Sequence, residues 1–200
     1  MDARQQLRRQ MRSARKALSA AEQQSAGASL LKHLQQLESF NSAEHIAVYL
    51  ASDGEIDPQS VIDYCWNQGK QVYLPVLDPH LHNQLLFVHY DQNTLMCRNK
   101  YDISEPAVPY QKSIQATDLD LVLLPLVAFD DKGNRMGMGG GYYDRSFAFM
   151  MDDEVATADK KVPVLIGLAH QLQQVEELAV ESWDIPLSGI ASAAGVVSGK

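Results

Sequence analysis

Apolar residues at Leu7, Met11, Ala14 and Leu18 recur at helical spacing, and Arg4, Arg8, Arg12 and Arg15 run beside them as a second stripe. The pattern predicts a first helix that packs its leucines on a core and presents guanidinium groups along one edge. Ser19-Ala20-Ala21-Glu22 reads as a capping box opening a second helix to about Leu37. Beyond it the period changes. His45–Ala51 is predicted as a first strand, and Asp57-Pro58 as an N-cap and first-turn proline of a helix that Gly69 ends. Gln71–Leu77 and Leu85–Tyr90 read as further strands. Asp91–Thr117 is polar, carries Pro106 and Pro109, and reads as an excursion over the surface. Leu119–Pro125 and Val162–Ala169 are nearly continuous apolar runs, as central strands covered on both faces should be. Between them, Tyr142–Met151 can form a helix.

This alternation implies the α/β class, with a mostly parallel sheet and helices on both faces. No repeat, low-complexity tract or linker interrupts residues 1–200, so a single domain is expected. Ligands of such sheets sit beyond the carboxyl ends of the strands. Two loops lie there: Ser52-Asp53-Gly54-Glu55-Ile56-Asp57 after the first strand, and the glycine-rich stretch after Leu119–Pro125.

Composition narrows the picture. At 46% hydrophobic, 200 residues can bury a substantial core. No apolar run approaches the roughly 20 residues needed to cross a bilayer, and the N-terminus lacks the apolar core of a secretory signal. Cys65 and Cys97 are too few and too isolated for a disulfide framework or a zinc site, so a reducing, cytoplasmic setting is expected. Net charge −8 argues against general nucleic-acid binding. The charge is uneven, however. Arg4, Arg8, Arg9, Arg12, Arg15 and Lys16 face only Asp2 near the start of the chain, which suits an anionic ligand. The plainer readings are a solvated basic face or a transit-peptide-like start.

The stretch Gly133-Asn134-Arg135-Met136-Gly137-Met138-Gly139-Gly140-Gly141-Tyr142-Tyr143-Asp144-Arg145 supplies the chemistry. A strand, a glycine-rich turn and a helix start bring backbone N–H groups close to phosphate oxygens. The spacing matches neither the P-loop nor the dinucleotide fingerprint, and a tight turn is the bland alternative. Arg135 could clamp a phosphate and Asp144 could supply a metal carboxylate. Of the three acids in the first loop, Asp57 reads as a cap and Asp53 as a loop carboxylate, which leaves Glu55 as the candidate. His80-Leu81-His82 reads as surface, and Trp66 and Trp183 as packing residues. No Ser/His/Asp arrangement is present to act as a nucleophile.

The run Arg135–Asp144 resembles the signature of the 5-formyltetrahydrofolate cyclo-ligase family, also called 5,10-methenyltetrahydrofolate synthetases. The resemblance covers nearly the whole chain: the basic first helix, Tyr49-Leu50 with Glu55, Leu124-Pro125 with Ala128-Phe129-Asp130, Gly167-Leu168-Ala169, and Trp183-Asp184-Ile185-Pro186-Leu187. It implies a three-layer α/β/α sandwich with a mostly parallel central sheet. The ATP site it implies comprises Arg4, Gln5, Gln6, Leu7 and Arg8, with Arg135, Met136, Gly137, Met138, Gly139, Gly140, Gly141, Tyr142 and Tyr143. Arg8, Leu50, Glu55 and Tyr142 would hold a reduced folate, Asp144 and Asp184 a magnesium ion (Mg2+), and Arg135, Tyr142 and Asp144 would carry catalysis. The implied reaction is ATP-dependent ring closure through phosphorylation of the formyl oxygen, in a monomer without nucleic-acid or membrane partners. The family commonly has lysine where this chain has Arg4, and the small, bland tail Ser188–Lys200 carries no assigned role. A sugar-phosphate isomerase or CoA-transferase-like enzyme, and a non-catalytic nucleotide-binding module, are the alternatives.

Overall fold

The computed structural model describes residues 2–107, 113–152 and 162–199. The chain runs α1 (Ala3–Lys16), α2 (Ala20–Leu34), α3 (Glu38–Ser42), β1 (His45–Ala47), α4 (Gln59–Asn67), β2 (Gln71–Leu77) and β3 (Leu85–His89). It continues through β4 (Met96–Arg98), β5 (Ser104–Pro106), β6 (Ser113–Ile114), β7 (Leu121–Pro125), β8 (Ala128–Phe129), β9 (Arg135–Met136) and α5 (Tyr142–Ser146). β10 (Val164–Leu168), β11 (Gly189–Ser192) and β12 (Gly195–Ser198) follow. One sheet has the order β12-β11-β10-β7-β1-β2-β3-β6. Its central strands β11, β10, β7, β1 and β2 are parallel, while β12 and β3 run antiparallel to their neighbours β11 and β2.

Local chemistry sets the element boundaries. Asp2 accepts from the Arg4 amide and starts α1, and Ser19 and Glu22 form the reciprocal capping box of α2. The Asp57 carboxylate accepts from the Gln59 amide at 2.9 Å to start α4, and Gly69 ends that turn at φ 72°. The central strands alternate between two apolar layers. Ile46, Leu121 and Leu123 pack with Leu30, Leu34, Val61 and Ile62 beneath α2 and α4. Ala47, Val122 and Leu124 point the other way, to Phe147, Ile185 and Leu187. Among the described residues, the helical cover on that second face is α5 and a 3-10 turn, Ala148–Met151.

Several expectations need correction. The helix expected over Tyr142–Met151 breaks at Phe147 into α5 and that 3-10 turn. The Asp91–Thr117 excursion contains the ribbon β4–β5 and the edge strand β6; Pro109 lies outside the described residues. Pro106 sits in the short two-stranded β4–β5 ribbon, where a missing N–H is tolerated. The tail, apart from Lys200, which lies outside the described residues, is structural, since β11 and β12 complete one edge of the sheet. Trp66 packs as expected, donating to Tyr90 O at 3.0 Å, but Trp183 is 65% exposed.

The end of the tail is tightly seated. A Cβ on Gly199 would stand 1.7 Å from the Leu187 carbonyl oxygen, which is backbone and cannot swing away. Gly199→Ala is therefore expected to lower stability by about 1–3 kcal/mol. An unchanged thermal midpoint would show that this contact does not hold the edge.

Candidate active site

The chain leaves β1 toward β2 on one side, whereas β7 leads to β10 and β11 on the other. The carboxyl ends of β1 and β7 therefore flank the point where the topology reverses, and a ligand crevice belongs there. The loops 52–57 and 126–141 leave at this point, and α1 lies across both. Its basic stripe is not a solvated face. Arg4 pairs with Glu181 at 3.2 Å, and Arg8 Nε donates to Gly137 O at 2.9 Å. Arg12 grips the Asp53 carboxylate with two bonds of 2.6 and 3.2 Å. Arg15, only 1% exposed, donates to Asp53 O at 2.8 Å and to Asp53 Oδ2 at 2.9 Å, and Lys16 also pairs with Asp53. The Arg12 hydrogen bond, working against burial and helped by Lys16 and Arg15, holds the Asp53 carboxyl well below the usual range.

Asp130 builds the hairpin that presents the glycine loop. Its buried carboxylate accepts from the amides of Lys132 and Asn134, from Asn134 Nδ2 at 2.8 Å, and from the Leu178 amide at 3.0 Å. β8 and β9 then pair, and Val127, Ala128 and Met136 form the floor on which Met11 and Leu7 of α1 rest. Gly139 has φ 95°, and a Cβ there would lie 3.4 Å from the Arg8 guanidinium. Asn83 Nδ2 and Arg145 Nη1 both donate to Gly140 O, at 3.0 and 2.7 Å. Arg135, 8% exposed, donates to Asp144 Oδ1 at 2.6 Å, and its Nε has no partner. A buried guanidinium N–H left without an acceptor is unusual in a folded protein. Because α5 has five residues, its dipole adds little; open N–H groups and arginines favour the anion here.

Glu55 occupies the loop after β1. Its Oε2 accepts from Ser52 N and Oγ at 3.0 and 3.2 Å, and its Oε1 lies 3.7 Å from Arg15 Nη2. Burial pushes the Glu55 carboxyl up, while the Ser52 hydrogen bonds and the Arg15 charge pull it down. Burial also raises the Tyr143 phenol; Glu55 adds to this and Arg135 opposes it, so Tyr143 feels charges from both loops. Tyr142 shares a 2.7 Å hydroxyl contact with Tyr101 from the β4–β5 turn.

The structure thus gathers Arg8, Gly137, Gly139, Arg135, Tyr143, Asp144 and Glu55 at one sheet edge. Met138 is 51% exposed on the loop, whereas Met136 is buried below it. Gln5 and Gln6 are exposed on α1, and Leu7 and Leu50 pack against apolar clusters. Asp184 accepts from the Glu181 amide at 2.9 Å, and its neighbour Ile185 donates to Asp144 at 3.3 Å. Among the described residues no three His, Cys, Asp or Glu side chains form an all-protein metal cage. Magnesium bound with phosphates takes one or two carboxylates, so the Asp144 donor set remains suited to it. Sequence reasoning missed Arg15, Asp53 and His170, whose ring lies against the Gly54 and Glu55 backbone. The available signal was that Arg15 follows Met11 by four residues, on the buried side of α1.

The Asp130 network makes a pH-dependent contribution. Burial works against its charge, yet the hydrogen bonds from Asn134, Leu178 and Lys132 hold its pKa below the ordinary value. With the folded pKa below the unfolded one, this stability is complete above about pH 4 and is lost as pH falls through the folded value. Asp130→Asn is expected to cost roughly 1–3 kcal/mol at pH 7. In urea titrations the gap from wild type should shrink toward pH 3; a constant gap would refute the assignment.

Comparison with known proteins identifies the family and the fold. The model of the 5-formyltetrahydrofolate cyclo-ligase family matches residues 1–192. The 5-formyltetrahydrofolate cyclo-ligase of Haemophilus influenzae is 42% identical over 94% of this chain and 96% of its own. That of Escherichia coli K12 is 38% identical over 91% of this chain and 96% of its own. The solved structure of Aquifex aeolicus 5,10-methenyltetrahydrofolate synthetase superposes with a TM-score of 0.80 at 25% identity, covering 98% of this chain and 93% of its own. The sheet topology, the glycine loop and these likenesses together establish that the chain belongs to the 5-formyltetrahydrofolate cyclo-ligase family.

Proposed function

We propose that this enzyme uses ATP to close 5-formyltetrahydrofolate to 5,10-methenyltetrahydrofolate, releasing ADP and phosphate. The observation that carries the reading is the Arg8–Gly137 bond, which lays the basic helix on the glycine loop while the same helix grips the Glu55 loop. A formyl oxygen on nitrogen is a poor leaving group. Transfer of the γ-phosphoryl group to that oxygen makes it a good one; the neighbouring folate nitrogen then attacks the formyl carbon, loses its proton, and phosphate departs. No protein nucleophile takes part. Catalysis by positioning and charge neutralisation suffices.

The residues divide the work accordingly. Arg8, Arg135 with its open Nε, and the loop amides receive the triphosphate. Arg4 extends that surface from the same helix edge, with Glu181 as its resting partner. Glu55 accepts N–H groups of the reduced pterin, and Leu50 and Tyr142 pack against the folate. Asp144, with Asp184 close by in the chain fold, would hold magnesium, which supplies charge neutralisation on the phosphates. The two cysteines are free thiols, Cys65 buried and Cys97 exposed, consistent with a reducing cytoplasm. We infer that a single monomeric domain performs the whole reaction.

Near-ultraviolet absorbance of methenyl-folate should rise with 5-formyltetrahydrofolate only when ATP and magnesium are present. Arg135→Ala should lower kcat at least about a hundredfold. Product without ATP, or wild-type turnover in Arg135→Ala, would overturn the mechanism.

The glycines separate folding from binding. Nothing lies within 4 Å of a Cβ on Gly137, whereas Gly139 has φ 95° and faces Arg8. Gly137→Ala should keep its thermal midpoint and weaken ATP binding, by isothermal titration, about tenfold or more. Unaltered ATP affinity in that variant would place the phosphates elsewhere.

A further inference from the structure

Arg15 is buried, charged and unused by the reaction above. Its guanidinium spends its donors on three places at once: Asp53 O, Asp53 Oδ2, and Leu126 O at 3.3 Å. Leu126 directly follows β7, and Gln173 Nε2 shares its carbonyl at 2.8 Å. Asp53 adopts φ 52°, a left-handed conformation that persists only where surroundings hold it. A Cβ on the next residue, Gly54, would stand 3.0 Å from the backbone of Arg15 and Lys16. Gln23 Nε2 adds bonds to Gly54 O at 3.2 Å and Arg15 O at 3.4 Å. The loop is thus locked to the last turn of α1 by side chains and by backbone contact. Arg8, seven residues earlier and so about 10 Å along the same rod, touches the glycine loop.

We propose that Arg15 and Asp53 are positioning residues for the folate: Asp53 clamps the loop to α1, and Arg15, between Asp53 and Glu55, fixes where the Glu55 carboxylate stands. The proposal rests on the reading of Glu55 as a folate contact. A passive structural ion pair needs only Asp53 and its cations. Here Ser52 occupies Glu55 Oε2, and Oε1 is left toward Arg15 at 3.7 Å. The charged and titratable groups facing Glu55 are Arg12 and Arg15 from α1, Asp53 on its own loop, Tyr49 after β1 and Tyr143 from α5, with His170 against its backbone. Within this set, Arg15 favours ionised Glu55 and Asp53 disfavours it. Removing the two partners must therefore shift the Glu55 titration in opposite directions, which loosening of a structural clamp would not do.

The test compares wild type with Arg15→Met, Arg15→Lys, Asp53→Asn and Glu55→Gln, using the full chain. Carbon-13 NMR of the Glu55 carboxyl in the free enzyme should titrate higher in Arg15→Met, lower in Asp53→Asn, and near wild type in Arg15→Lys. KM for 5-formyltetrahydrofolate should rise about tenfold or more in Arg15→Met and Asp53→Asn, while KM for ATP moves less than about threefold. The acid limb of kcat/KM for the folate should follow the carboxyl titration. Shifts in the same direction, no shift, or equal losses for both substrates would overturn the proposal. Where Arg15→Met fails to fold, the downward shift in Asp53→Asn and the rescue by Arg15→Lys decide the outcome alone. Glu55→Gln with an unchanged folate KM would defeat the reading of Glu55 itself, while the carboxyl titrations would still report whether Arg15 and Asp53 act on that position.

Discussion

A guanidinium cannot shed its proton, so a helix that carries four of them against a folded core requires an acceptor for each. In this enzyme the acceptors come from the carboxyl edge of the sheet: Glu181, Gly137 O and Asp53, the last shared by Arg12, Arg15 and Lys16. Desolvating Arg15 without them would leave an uncompensated buried charge. The demand of these cations therefore fixes two loops that are more than eighty residues apart in sequence onto one rigid element. The relative placement of the two loops is a by-product of satisfying α1. Because helix rise is constant, the separation between the glycine loop and the Glu55 loop is set by residue spacing along α1 rather than by flexible loop contacts.

The same view explains what the sequence made legible. Four of the five parallel strands, β1, β2, β7 and β10, were readable because burial on both faces demands continuous apolar runs, as in Leu121–Pro125. The capping box at Ser19 and Glu22 and the stop at Gly69 were readable because each is a local device. The glycine loop was readable by its residue types. β11 and β12 were not, since Gly189, Ala191, Ser192 and Gly195 are small and give no amphipathic signal; only pairing of β11 with β10, and of β12 with β11, makes them strands. Trp183 misled for the opposite reason. A large aromatic side chain usually buries, but the turn closed by Glu181 N on Asp184 leaves it facing solvent.

Asp53 and Arg15 were illegible as a pair because their meaning depends on contact at a separation of 38 residues. Periodicity sees Arg15 as one more member of a basic stripe. It cannot see that a stripe adjoining an apolar face rotates its last member inward, beside Met11. Likewise Glu55 stood out among three acids by elimination and by the family resemblance, whereas its surroundings distinguish it physically: Ser52, Arg15 and Tyr143 converge on it.

Among the described residues, the buried side-chain atoms without a partner are Gln23 Oε1, Arg135 Nε and His170 Nε2. All three belong to groups packed on the two loops or on the helix end that holds them. Buried polar atoms elsewhere in a folded core are satisfied almost without exception, so this clustering has a cause. Arg135 is held by Asp144 from one side, and its open N–H keeps an anion-binding direction at the site of the proposed phosphoryl transfer. Gln23 and His170 are drawn to the Gly54 and Glu55 backbone, and each leaves one atom open in making that contact. Among the described residues these open atoms, of which Arg135 Nε is a donor and Gln23 Oε1 an acceptor, lie at the two loops and not in the sheet that supports them. The stability surrendered at the edge is supplied by the apolar layers on either side of β1 and β7.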